Sequence, residues 1–196
     1  MASDVQICNL ALAHIGAEAQ IAALDPTESE EARYCTLYYE DLRDALLREH
    51  EWGFAIKVDA LADLGSPPYS WAYRYAYPSD CLTAIEIIKA ADADATIPFE
   101  VASDGASGKV VLTDTSAADL RYISRVTDPN AFDAGFRIAL SWNLAFNLAE
   151  PITGSSAKRN DAATIYGNIL AKAKAADAAE SVAETQQDAS WLAARI

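Results

Sequence analysis

Few residues in this chain are equipped to do chemistry. His14 and His50 are the only histidines among 196 residues. A zinc centre wants a second histidine four residues on, or a cysteine-rich setting, and neither histidine has one. Each ends a predicted helix, where a partial positive charge suits the dipole, so both read as structural. Cys8, Cys35 and Cys81 are odd in number and lie outside any Cys-x-x-Cys pattern. They read as buried, reduced thiols of a protein that matures in a reducing compartment. Asp92 and Asp94 flank small residues but lack the other ligands of a calcium loop, so a solvated turn is expected. Gly105-Ala-Ser-Gly-Lys109 suggests a phosphate loop. However, Ser103 stands where the first glycine belongs, and Val110 where Ser or Thr would hold magnesium, so it reads as a hairpin turn. No Gly-x-Ser-x-Gly elbow occurs, and no cysteine sits in a glycine-rich nucleophile context. The expectation is a protein with no catalytic residues, no metal and no cofactor.

Two other features invite binding. Tyr69, Trp71, Tyr73, Tyr75 and Tyr77 alternate with smaller or polar residues, and in a strand all five rings would share one face. Such a row can stack bases or sugars, or cover a core or a neighbouring subunit, because Tyr and Trp bury area yet keep a polar tip. The second feature is the C-terminal run Trp191, Leu192, Ala193, Ala194, Arg195 and Ile196. Large apolar residues near a free end are wasteful unless they bind a partner or fold back on their own helix.

Composition narrows the classes. Fifteen basic and 29 acidic side chains give a formal charge of -14. A sequence-reading grip on nucleic acid needs clustered Lys and Arg on phosphates, and this balance argues against it. With 52% hydrophobic and 22% charged residues, the chain reads as ordinary, soluble and globular, long enough for one domain with a real core. No signal peptide is expected from Met-Ala-Ser-Asp, and no apolar run reaches the length of a membrane span.

The elements that would position these residues follow from periodicity. Ser3 to Ile15 is predicted as a helix, with a Ser3–Gln6 capping box, a stripe of Ile7, Cys8, Ala11, Leu12 and Ile15, and Gly16 as a left-handed stop. A long helix is predicted within Asp25 to Trp52. Asp25 would cap it ahead of Pro26, or Thr27 and Glu30 would form the box two residues later. Its stripe is Ala32, Cys35, Tyr39, Leu42 and Leu46, widened by Tyr38 and Ala45. Asp44 stands four residues before Arg48, the spacing of a helical ion pair. The short link between these helices predicts antiparallel packing. After Gly53 the period shortens. Phe54 to Val58, Leu82 to Ile88, Ile97 to Val101, Lys109 to Thr113 and Leu120 to Val126 read as strands of one small antiparallel sheet, with Asp104 to Gly108 as a hairpin loop. Helical spacing returns at Asp128-Pro129, with a stripe of Phe132, Phe136, Ala139, Trp142, Phe146 and Ala149. An alanine-rich helix from Ser156 to about Glu184 follows, with Ile165, Ile169 and Ala173 as its seam.

Three stretches, in order, resemble the tail tubular protein A family, the head-to-tail adaptors (gatekeepers) of tailed bacteriophages. They are Asn9-Leu-Ala-Leu-Ala-His-Ile-Gly16, Leu46-Leu-Arg-Glu-His-Glu-Trp-Gly-Phe-Ala55 and Trp71-Ala-Tyr-Arg-Tyr-Ala-Tyr-Pro-Ser-Asp-Cys-Leu82. The last is similar to the family's Tyr-x-Tyr-x-x-Pro-x-Asp-Cys-Leu run. The resemblance implies a non-enzymatic virion protein, made in the host cytoplasm and placed at the head-tail junction. It implies a homo-oligomeric ring beneath the portal protein, usually of twelve subunits, with a tail or nozzle protein on the other side. DNA would pass through the lumen without sequence recognition, and no membrane would be involved. The C-terminal segment of such proteins reaches toward the portal, which makes Trp191 to Ile196 the candidate portal contact. The aromatic row is the candidate subunit or tail interface.

The expected fold is α+β, mainly α. It is an antiparallel helical bundle with a small inserted antiparallel sheet and an extended C-terminal tail. The parts are N-terminal helices in 1–52, a β-region in 53–127, C-terminal helices in 128–185 and the tail in 186–196. The competing class is a soluble, non-enzymatic helical binding module whose aromatic strand holds a ligand or a protein.

Overall fold

A computed structural model describes residues 2–65, 71–88, 96–103, 105 and 108–180. Among them are four helices: α1 (Asp4–His14), α2 (Glu30–Arg48), α3 (Ala134–Thr153) and α4 (Ser156–Glu180). Six strands lie between α2 and α3: β1 (Ile56–Ala60), β2 (Tyr73–Ala76), β3 (Cys81–Ile88), β4 (Phe99–Ser103), β5 (Lys109–Thr113) and β6 (Asp119–Ser124). The arrangement is α+β, with the strands inserted between helical segments.

Helix α1 starts as its sequence predicts. The Ser3 hydroxyl accepts from the Gln6 N–H at 3.1 Å, and Gly16 takes a left-handed φ of +63° just past the end. Helix α2 starts later than expected. Asp25 spends its carboxylate on Thr27, accepting from the amide at 2.9 Å and the hydroxyl at 2.7 Å, which closes a turn ahead of the helix. Ser29 is the cap, accepting from the Ala32 N–H at 3.1 Å, and Glu30 and Glu31 sit in the first turn where the dipole favours them. The same substitution of roles occurs before α3. Asp128 closes a turn over Asn130 at 2.9 Å, and Asp133 caps the helix through Gly135 N–H at 2.6 Å. Pro151 falls in the last turn of α3, and Gly154 ends it at φ +65°, its N–H on Glu150 O at 2.9 Å.

The packing differs from the expected α1–α2 pair. Helices α1, α2 and α4 all lean on α3, and α1 touches α2 only sparsely. Helix α3 is therefore buried well beyond one stripe: Phe136, Ala139, Leu140, Leu144, Ala145, Leu148 and Ala149 are all fully enclosed. Trp142 and Phe146, expected on its inner face, are half-buried. On α2, Ala45 faces solvent and Arg43 takes the buried place. Asp44 does not pair with Arg48. Its carboxylate holds Arg43 at 2.8 Å and Arg125, just past β6, at 2.7 Å, so a tie from the helix to the end of the sheet displaces an exposed helical pair worth only a few tenths of a kcal/mol. On α4 the inner residues are Ala162 and Ala173, with Tyr166, Ile169 and Leu170 packed beside the core, while Ile165 points outward.

The β-region forms two three-stranded antiparallel sheets rather than one, ordered β1-β6-β3 and β2-β5-β4. Their strands fall close to the predicted runs, though β4 starts two residues later than expected. The first sheet is a middle layer. Leu82 and Ile123 turn toward the helices, whereas Leu120, Tyr122 and Ile87 turn toward the second sheet. Residues one apart on β6 thus serve two cores, the two-residue period of a strand buried on both faces. The helical side meets this layer through Trp52, Phe54, Phe132 and Phe136. Trp52 is fully buried, donates its indole N–H to Leu46 O at 3.0 Å, and meets Phe136 edge-on at 5.2 Å.

Candidate functional site

The aromatic row resolves into unequal parts. Among its described residues only Tyr73 to Ala76 are strand, and Tyr69 lies outside the described residues. Tyr73, Tyr75 and Tyr77 do share a face, but it is the inner one, set against the first sheet. Tyr75 is 2% exposed, donates its hydroxyl to Thr115 O at 3.0 Å, and stacks on Tyr73 at 6.1 Å. That corrects its place as an interface residue: its ring belongs to the chain's own inter-sheet core. Tyr77 is half-buried beneath the Lys109 ammonium, 5.3 Å from its ring. Trp71 stands apart, half-buried, its indole N–H on Glu100 Oε2 at 3.1 Å. The row is not a free stacking platform. Trp191, Leu192, Ala193, Ala194, Arg195 and Ile196 lie outside the described residues, as do Asp92 and Asp94.

The polar residues singled out by type are held by one another. His14 lies flat on Trp142, with ring centroids 3.8 Å apart, and its Nε2 is 3.2 Å from the Ser141 hydroxyl. That hydroxyl already donates to Ile138 O at 2.8 Å, so it must accept from His14, which places the imidazole proton on Nε2. Burial lowers the His14 pKa below its ordinary value, the opposite of a cation serving a helix end. His50 bonds Asp177 Oδ2 at 2.9 Å, and Asp177 Oδ1 accepts from Gly53 N–H at 3.0 Å. Cys8 and Cys35 are fully buried and Cys81 is half-buried, all three as thiols. The bond with Cys35, together with burial, pushes the Cys8 thiol up. Beside the first sheet, the Tyr122 hydroxyl lies 2.7 Å from Asp59 Oδ2 and 3.0 Å from Asp80 Oδ1, and Lys57 reaches Asp80 at 2.6 Å. Burial pushes the Asp80 carboxyl up, but bonds from Lys57 and Tyr122 outweigh it and hold the group below its usual range. These contacts tie β1, β6 and the turn at Asp80 together. Among the described residues, no group of three or more His, Cys, Asp or Glu side chains could hold a metal ion, and no helix is long and apolar enough to cross a membrane.

What the helices leave open is a surface. Ile138 of α3 is 48% exposed and stands between two shallow grooves. One is shared with Ile7 and Leu10 of α1, the other with Ile169, Ala173 and Ala176 of α4. Leu10 is 42% exposed, and Ile165, further along α4, is 37% exposed beside Trp142. Three helices thus contribute aliphatic side chains to one solvent-facing strip. On the far helix, α2, Leu37 is 61% exposed. These positions carry a signal in the sequence that periodicity alone passes over. Leu10 and Leu37 are large aliphatics off the stripes of their own helices, and a helix with such residues outside its stripe presents a second apolar contact.

No protein-family model matches this chain, and no characterised protein aligned to it with significance.

Proposed function

We propose that this chain is a structural subunit of a tailed-phage virion, a head-to-tail adaptor that assembles with its own copies into a ring beneath the portal and forms part of the DNA channel. In this reading the four helices form the antiparallel bundle of the ring wall, and the sheets face the tail or nozzle. The segment Trp191 to Ile196 reaches the portal. The protein acts in the virion and turns over no substrate.

The observation that carries the proposal is the aliphatic strip of Leu10, Ile138 and Ile165 across three helices. Exposed aliphatic side chains gathered on one face from three helices are suited to contact with another protein. The three stretches resembling the adaptor family support the same direction. Two of them end α1 and α2, and the third spans β2 and the start of β3. The charge of -14 also suits a conduit. Phosphate contacts from Lys and Arg would retard a passing duplex, whereas an acidic wall leaves it mobile.

Native mass spectrometry of the full chain, alone and with its cognate portal, tests the proposal. Rings on the portal are the expected result. A chain that never binds portal or forms rings would sink the proposal, as would a particle reconstruction with no density for it where the genome exits. Removing Trp191 to Ile196 should abolish capture by portal, and a lumen that maps as strongly basic would overturn the account of the charge.

A further inference from the structure

The strip on α1, α3 and α4 has a border of unusual sign. In a chain of charge -14, Arg137 lines the groove beside Leu10, and Lys172 lines the groove beside Ile169. Lys158 borders the end near Ile165, next to the single carboxylate of Asp161. The opposite pattern surrounds Leu37. Glu40 and Asp41, three and four residues after it, share its face of α2 and are exposed. Arg33, on the same face, is already engaged by Glu30 at 3.4 Å.

We infer that these two faces are the two halves of one contact between copies of this chain. The cation-bordered strip around Ile138 receives the acid-bordered Leu37 face of the next subunit. The inference rests on the ring reading above and specifies which surfaces make the ring. Charge selects this pairing over the alternatives. Two strips set face to face would place Arg137 and Lys172 against their own copies, and two α2 faces would oppose Glu40 and Asp41 in the same way. Like charges opposed across an interface cost affinity and specify against that mode. A contact between two different patches is head-to-tail, so it closes into a ring when the rotation per subunit allows.

Two full-length variants test it, one with Arg137→Glu and Lys172→Glu, the other with Glu40→Lys and Asp41→Lys. All four positions are solvent-facing or half-buried, and circular dichroism checks that the fold is kept. Assembly is read by sedimentation and native mass spectrometry, alone and on portal. Each variant alone should associate about tenfold or more weakly than the natural chain. An equimolar mixture should recover assembly, because each faulty face then meets its complement, and so should a chain carrying all four changes. As a second measurement, oxidising a chain with both Leu37→Cys and Ile138→Cys should give a ladder of linked oligomers, while either change alone should leave monomers, because each new cysteine then faces a residue without a thiol; dimers from a single change would reject the pairing. Rings that form normally despite the reversals, or that mixing fails to restore, would reject the pairing of faces and leave the adaptor reading standing. A natural chain that neither self-associates nor binds portal would remove both.

Discussion

Asp177 of α4 reaches back across the molecule to His50, placing Oδ2 2.9 Å from the imidazole Nε2 while Oδ1 takes the Gly53 amide at 3.0 Å. One carboxylate thus pins the far end of the last described helix to the junction between α2 and the sheets. Its side chain is only 10% exposed. Asp177→Ala should give an exposed amide back to water, remove the partner of a half-buried imidazole, and lower stability by about 1 kcal/mol. Asp177→Asn, which can keep one acceptor on Gly53, should lose less. Urea unfolding compares the two, and equal losses would mean the Gly53 bond is not the part that matters.

Histidine 14 makes stability depend on pH in a defined direction. Burial lowers its pKa below the ordinary 6.5, so the folded state binds fewer protons than the unfolded chain as pH drops below that value. Above it, both states are neutral and His14 contributes nothing. Below it, stability falls with pH until the folded histidine also titrates. His14→Phe, which keeps a ring on Trp142, should flatten this part of the profile. Midpoints of urea unfolding between about pH 5.5 and 7.5, one unit either side of the ordinary value, would show the change in slope.

Gly135 lies where α3 and α4 approach closely. A Cβ added there would lie 3.0 Å from the Ala173 Cβ and 3.4 Å from its Cα. Gly135→Val should overpack the crossing and cost about 1–3 kcal/mol. Ala173→Gly removes the opposing methyl, so the double variant should recover part of that loss. A thermal-melt double-mutant cycle with strictly additive effects would place the strain elsewhere.

The split within the aromatic row predicts unequal sensitivity. Tyr75→Ala empties a site in the inter-sheet core and should cost about 3–5 kcal/mol, as large aromatic truncations do. Trp71→Ala gives up a half-exposed ring and one bond to Glu100, and should cost about 1 kcal/mol. Equal losses in chemical denaturation would restore the picture of five equivalent rings.

How much of this was legible can be judged element by element. The α1 cap at Ser3, the stop at Gly16 and the strand Lys109–Thr113 follow from local chemistry, because a hydroxyl one turn before an amide, or a β-branched run between turn residues, needs no distant partner. The α2 and α3 starts were displaced because Asp25 and Asp128 each have two local outlets, a helix cap or a tight turn. Only the surrounding chain selects between them.

Alternation from Tyr73 to Tyr77 determined that their rings share a face, and helical spacing determined which stripes of α1 and α2 are greasy. Neither could determine what covers a face. Period is a property of one segment, whereas burial depends on which segment arrives opposite. It took the tertiary structure to set Tyr75 against the first sheet, to surround α3 with three helices, to send Asp44 to Arg125 and to leave Ile138 facing water.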